Sequence, residues 1–121
     1  MAGGRRLLWR RTMDIKVISR DELKQKLDNH DNFKLVNALG EWAFRAKHIP
    51  GSLHFATPEE AMQALDKEDD IVVYCSDVNC PASVAAYHTL VKHGYHRVRR
   101  YSGGLSDWEQ AGYPLEGEWM S

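Results

Sequence analysis

The chain has 121 residues, 43% of them hydrophobic, and 16 Lys and Arg against 17 Asp and Glu give a formal net charge of −1. That length supports one domain with a single core and is too short for two. No apolar run approaches the ~20 residues of a membrane-spanning helix, and two cysteines are too few for a disulfide-stapled scaffold, so a reduced, cytoplasmic setting is the expectation.

Charge is unevenly placed. Arg5, Arg6, Arg10 and Arg11 stand in the first twelve residues without an acid, leaving 12 basic and 17 acidic side chains, a net of −5, in the rest. Such a body is no natural partner for nucleic acid. Residues 1–12 read as a basic, unstructured N-terminal extension, because Leu7-Leu8-Trp9 is too short for a signal-peptide core and Met13-Asp14-Ile15 looks like an alternative start. A basic tail touching a membrane or an acidic partner is the other reading of this head. The domain is expected over residues 13–121, with no membrane contact.

From there strand and helix signals alternate. Lys16-Val17-Ile18 reads as a short strand, and Ser19 with Glu22 forms a capping box that starts a helix through Leu27. Phe33 to Val36 is a second strand, Glu41 to Ala46 a short helix, His48-Ile49-Pro50-Gly51 a turn, and Ser52 to Phe55 a further short strand. Thr57-Pro58-Glu59-Glu60 repeats the capping logic with proline at the first helical position. Ile71 to Tyr74 is a buried strand, Pro81 to His93 a helix stopped by Gly94, Arg97 to Tyr101 the last strand, and Leu105 to Gln110 a final helix. The alternation predicts an α/β fold, a parallel sheet of about five strands with helices on both faces.

Cys75 then lies where a strand stops, at the carboxyl end where such sheets bind ligands. A buried cysteine taken alone is a small hydrophobe. Here the loop Ser76, Asp77, Val78, Asn79 and Cys80 is expected to wrap around the Cys75 sulfur with its N–H groups inward, ahead of the positive end of the helix beginning at Pro81. Such a cradle favours an anionic sulfur and nucleophilic chemistry.

Other polar residues have plainer readings. The six histidines show no zinc-finger spacing with Cys75 or Cys80, so no metal site is expected, and His48 should hydrogen-bond the backbone of its turn. Arg97 and Arg99 share one strand face while Arg100 points to the other. Solvated edge charges are the bland reading, and Arg99 or Arg100 reaching the Cys75 loop is the functional one. Trp42 and Trp108 read as core or rim aromatics.

Three stretches together resemble the rhodanese family of sulfurtransferase-type domains: Glu41-Trp42-Ala43-Phe44-Arg45-Ala46-Lys47-His48-Ile49-Pro50-Gly51-Ser52, then Tyr74-Cys75 with its loop and Ala-rich helix, then Gly103-Gly104-Leu105 with Trp108, Ala111-Gly112 and Pro114. The resemblance runs from Ile15 to Pro114. It implies that Cys75 is the catalytic residue, accepting a sulfane sulfur as a persulfide and handing it to a thiol, cyanide or protein acceptor, with a small sulfur donor and no metal or organic cofactor. The chain also departs from the family. The arginine usual five residues after the cysteine is replaced by Cys80, Asp77 adds a negative charge, and the Asp-x-Arg usual after the early strand is Asn37-Ala38-Leu39.

These changes put thiosulfate chemistry in doubt and open two alternatives. One is a dithiol redox or sulfur-sensing protein using Cys75 and Cys80, the other a non-catalytic rhodanese-like interaction module. Cys80 either resolves a Cys75 persulfide or sulfenate into an internal disulfide or merely packs the loop. Cysteine phosphatases need an arginine six residues after the cysteine, where this chain has Pro81, so phosphatase activity is not expected.

Overall fold

The computed structural model describes residues 15–118; the basic head and Met13 of the expected alternative start lie outside the described residues. Three strands, β1 (Lys34–Asn37), β2 (Ile71–Tyr74) and β3 (Val98–Arg100), form a parallel sheet in the order β1-β2-β3. Among the described residues the helices are α1 (Arg20–Asp28), α2 (Glu41–Ala46), α3 (Pro58–Ala64), α4 (Pro81–Lys92) and α5 (Gly104–Gln110).

Two of the expected strands are present only as single parallel bridges, one at each edge of the three regular strands. Val17 pairs with Arg100 beyond β3 and Leu53 pairs with Val36 beyond β1, both parallel. The sequence explains why neither edge grows. Ser19 already caps α1, accepting from the Glu22 N–H at 3.1 Å, and the Leu53 segment is confined between the Pro50-Gly51 turn and Thr57, whose hydroxyl accepts from the Glu60 N–H at 3.2 Å.

All four residues of β2 are buried, and their alternating side chains feed two cores. Val72 and Tyr74 join Leu35, Leu23 of α1, Ile49, Tyr101, and Leu105 and Trp108 of α5. Ile71 and Val73 join Val36, Val98, Leu65, and Tyr87 and Leu90 of α4. Each fully buried aliphatic side chain contributes about 1.5–3 kcal/mol, so the middle strand is anchored from both faces. Whatever follows Tyr74 is thereby held at a rigid strand end, one step along the alternation toward α4.

Candidate active site

Cys75 is that next residue, 1% exposed, and its sulfur turns to the α4 side of the sheet. There the thiol donates to Ser83 Oγ at 3.1 Å and faces the Cys80 carbonyl at 3.5 Å. The start of the loop is clamped from the opposite side by α5: the Leu105 N–H donates to the Cys75 carbonyl (2.9 Å) and the Ser106 N–H to the Ser76 carbonyl (2.8 Å). Gly104, at φ +64°, permits this approach, because a Cβ there would collide with the Cys75 carbonyl oxygen. The loop tip is shaped by Asp77, whose carboxylate accepts from the Asn79 N–H (2.9 Å) and whose carbonyl accepts from the Cys80 N–H (3.2 Å). Val78 stands 62% exposed on the outside of that turn.

The expectation that the loop's N–H groups converge on Cys75 is corrected. Burial pushes the Cys75 thiol up, its hydrogen bond with Cys80 adds to that, and the Ser83 hydroxyl and N–H pull the other way without winning. At Cys80 burial also acts upward, but hydrogen bonds from the Cys75 thiol, the Ser76 and Ala82 N–H groups and the Ser76 hydroxyl outweigh it and bring that thiol down to about 7. The cause is geometric. Cys80 is the N-cap of α4 but makes no side-chain capping hydrogen bond, and its carbonyl is the group that faces the Cys75 thiol. Of the two thiols, Cys80 is therefore the one to lose its proton first.

Further polar residues surround this strand end. Arg100, 8% exposed, donates Nε to Ser83 Oγ at 2.8 Å and Nη2 to the Val78 carbonyl at 3.2 Å, so it lies beneath the loop. Arg97 and Arg99 keep the bland reading: Arg97 donates to the Glu68 carbonyl, and Arg99 pairs with Glu22 and Asp70. Asn37, standing where the family motif has an acid, is 2% exposed; its amide donates to the Tyr74 hydroxyl (3.1 Å) and its carbonyl accepts from the Leu39 N–H (2.8 Å). Ser52 and the Ile49 N–H meet the same phenol at 2.6 and 3.0 Å, which locks the turn after His48 onto the end of β2. His48 bonds backbone as expected, but that of α2 and not of its own turn: Nδ1 meets the Phe44 carbonyl at 2.7 Å.

Ser83 was missed in the sequence. A lone hydroxyl one turn into an Ala-rich helix was the available signal. Among the described residues no group of three or more His, Cys, Asp or Glu is arranged to hold a metal ion, and no helix is long and apolar enough to cross a membrane. A hollow of about 260 Å³ between β1, α3 and α4 is lined by none of the residues from Cys75 to Cys80.

A strand-end cysteine under a short loop, with the HIPG turn and the Gly-Gly helix start packed around it, agrees with the model of the rhodanese-like domain, which matches residues 19–111. The chain belongs to the rhodanese-like domain family. It is 34% identical over 84 residues to the thiosulfate sulfurtransferase GlpE of Pseudomonas syringae pv. syringae, covering 68% of this chain and 76% of that protein. The putative sulfur carrier protein YrkF of Bacillus subtilis is 28% identical over 96 residues, 78% of this chain and 51% of that protein; this chain thus spans about half of YrkF. Among solved structures, the BH2092 protein of Bacillus halodurans superposes with a TM-score of 0.80 at 19% identity, covering 98% of this chain and 88% of that one. The rhodanese-like domain of the Anabaena Alr3790 protein superposes with a TM-score of 0.78 at 25% identity, covering 89% and 83%.

Proposed function

We propose that this rhodanese-like domain is a sulfurtransferase that carries one sulfane sulfur on Cys75. The observation that supports it is the Cys75 sulfur fixed at the end of β2, within hydrogen-bond reach of Ser83 and beside a second thiol that ionises near neutrality. In the monoanion the remaining proton lies chiefly on Cys75. The minor form with the charge on Cys75 is intrinsically the stronger nucleophile, because nucleophilicity rises with thiol pKa. Its thiolate attacks the outer sulfur of a donor R–S–S⁻, the donor S–S bond breaks, and RS⁻ leaves. A thiol, cyanide or protein thiolate then attacks the outer sulfur of the Cys75 persulfide and releases the Cys75 thiolate, with no net redox change in the protein.

The hydrogen-bonded pair of thiols also favours a second outcome. The Cys80 thiolate attacks Cys75 Sγ of the persulfide, HS⁻ leaves, and a Cys75–Cys80 disulfide forms; the sulfane sulfur is reduced and the two cysteines are oxidised. A cellular dithiol would have to reduce that bond before another turnover. Intact-protein mass after exposure to thiosulfate, mercaptopyruvate and polysulfide in turn separates the readings. Sulfur transfer predicts the gain of one sulfur atom mapped to Cys75, and the dithiol route predicts loss of two hydrogens with sulfide release. No change with any donor would make the domain a non-catalytic module, and sulfur on Cys80 with none on Cys75 would overturn the choice of nucleophile.

A further inference from the structure

Arg100 presents an electrostatic imbalance. Its guanidinium is buried, yet among the described residues no carboxylate pairs with it; its bonds go to the Ser83 hydroxyl and the Val78 carbonyl. Its neighbour Arg99 reaches two carboxylates, Glu22 at 2.7 Å and Asp70 at 3.4 Å. A buried charge left without a counter-ion is strongly unfavourable, and it is tolerated where an anion is meant to form beside it. The group on the far side of Ser83 is the Cys75 sulfur.

Ser83 connects the two with a fixed polarity. A hydroxyl offers one proton and two lone pairs, and a guanidinium only donates. Arg100 therefore always occupies a lone pair of Ser83 Oγ at 2.8 Å. In the resting thiol Cys75 donates to the same oxygen. Once Cys75 is ionised, the Ser83 proton is the one positioned to turn onto the sulfur.

We propose that Arg100 and Ser83 together form the anion-holding part of this site, with Arg100 aligning and polarising the Ser83 hydroxyl toward Cys75 Sγ and supplying the positive charge that position 80 lacks. The charge comes from β3 behind the loop and not from the loop itself. It is matched to a single negative charge, the Cys75 thiolate and then the Cys75 persulfide. Ser83 touches the reacting atom; Arg100 acts through it and is a positioning residue. This inference rests on the assignment of Cys75 as the sulfur carrier.

The other charged groups around Cys75 do not take this role. The loop brings Cys80, itself a developing anion, and Asp77, whose carboxylate is engaged by the Asn79 N–H. From α5 comes Asp107, held by Arg20 at 3.1 Å and by the Tyr101 hydroxyl at 2.5 Å.

The test reads the ionisation of Cys75 directly. In a Cys80→Ala background, the rate of Cys75 alkylation by iodoacetamide is followed by peptide mass between about pH 7 and 12, a window wide enough for a thiol that burial raises and for a further shift of one unit. Arg100→Met should move the midpoint up by about one pH unit, roughly a tenfold loss of rate at neutral pH, and leave the high-pH plateau unchanged. Ser83→Ala should do the same, the double variant should be no slower than the slower single, and Arg100→Lys should recover most of the loss. An unmoved midpoint in Arg100→Met, a lowered plateau alone, or Arg100→Lys as slow as Arg100→Met would overturn the proposal. If Arg100→Met fails to fold by thermal melting, Ser83→Ala decides alone, and an unmoved midpoint there overturns it. Alkylation needs no sulfur donor, so a shifted midpoint in a protein that takes up no sulfur supports the anion site while refuting the sulfur-carrier reading.

Discussion

The two ends of the parallel sheet handle charge in opposite ways. At the amino ends of the strands the cations and carboxylates neutralise one another: Lys26 meets Asp70 at 2.7 Å, Lys34 meets Asp69 at 3.5 Å, and Arg99 bridges Asp70 and Glu22. Burial pushes the Asp70 carboxyl up, yet Lys26 and Arg99 together hold it below the usual carboxylate range. At the carboxyl ends, Arg100 has no acidic partner among the described residues and shares the Ser83 hydroxyl with the Cys75 thiol. The first end is electrostatically complete and serves stability. The second leaves Arg100 bonded to a hydroxyl and a carbonyl, without a carboxylate among the described residues.

Substitutions at each end should therefore fail differently. Cys75→Ser is expected to abolish sulfur uptake, read as intact mass after polysulfide, while the thermal midpoint hardly changes, since the hydroxyl fits the thiol's place and can still donate to Ser83. Retained uptake would move the reaction to Cys80 and dissolve the contrast drawn between the two thiols.

Gly104→Ala tests the clamp that holds the reactive end. A methyl group there meets the Cys75 carbonyl at positive φ, so a loss of about 2–3 kcal/mol in urea denaturation is expected, together with reduced uptake. A neutral result would show that α5 does not fix the loop.

The double change Cys80→Arg with Asp77→Gly adds a second positive charge and removes the loop's acid. Thiosulfate is a dianion, and Arg100 balances only one charge. The variant should raise thiosulfate:cyanide activity by at least roughly tenfold, equivalent to about 1.36 kcal/mol of transition-state stabilisation. Wild-type activity equal to the variant's would show that loop charge is not limiting.

The smallest effect belongs to the complete end. Asp70 has a folded-state pKa below its unfolded one, so its contribution is present above the ordinary carboxylate pKa and is lost as pH falls through the folded value. Asp70→Asn should lower stability at neutral pH by about 0.5–1 kcal/mol, discounted for partial solvent screening. The difference between the two proteins should vanish at acidic pH in denaturant titrations, and a difference that persists there would mean that Asp70 acts through packing and not charge.

Much of the local structure was legible because it depends on neighbours in the chain. Ser19 and Thr57 cap the helices they announce, Pro81 opens α4, and the β-branched run from Ile71 gives the buried strand. The strand-end position of Cys75 followed from the same signals. The edge strands did not, since pairing at Val17 and Leu53 depends on how much chain the adjoining helix and turn leave free.

The sequence alone determined the order of elements, the family pattern and the cysteine at the end of the central strand, all set by periodicity, caps and residues close in the chain. It also separated Arg100 from Arg99 by strand alternation, but not what either would meet. Only the tertiary structure decided that Arg99 closes an ion pair with Asp70, 29 positions away, while Arg100 reaches Ser83, 17 positions away, with Cys75 beyond it. It also turned the Cys80 carbonyl toward the Cys75 thiol, where an inward N–H had been expected. Hydrogen-bond direction and desolvation depend on which surfaces are brought together, and parallel strands joined through helices bring together residues that no local pattern relates.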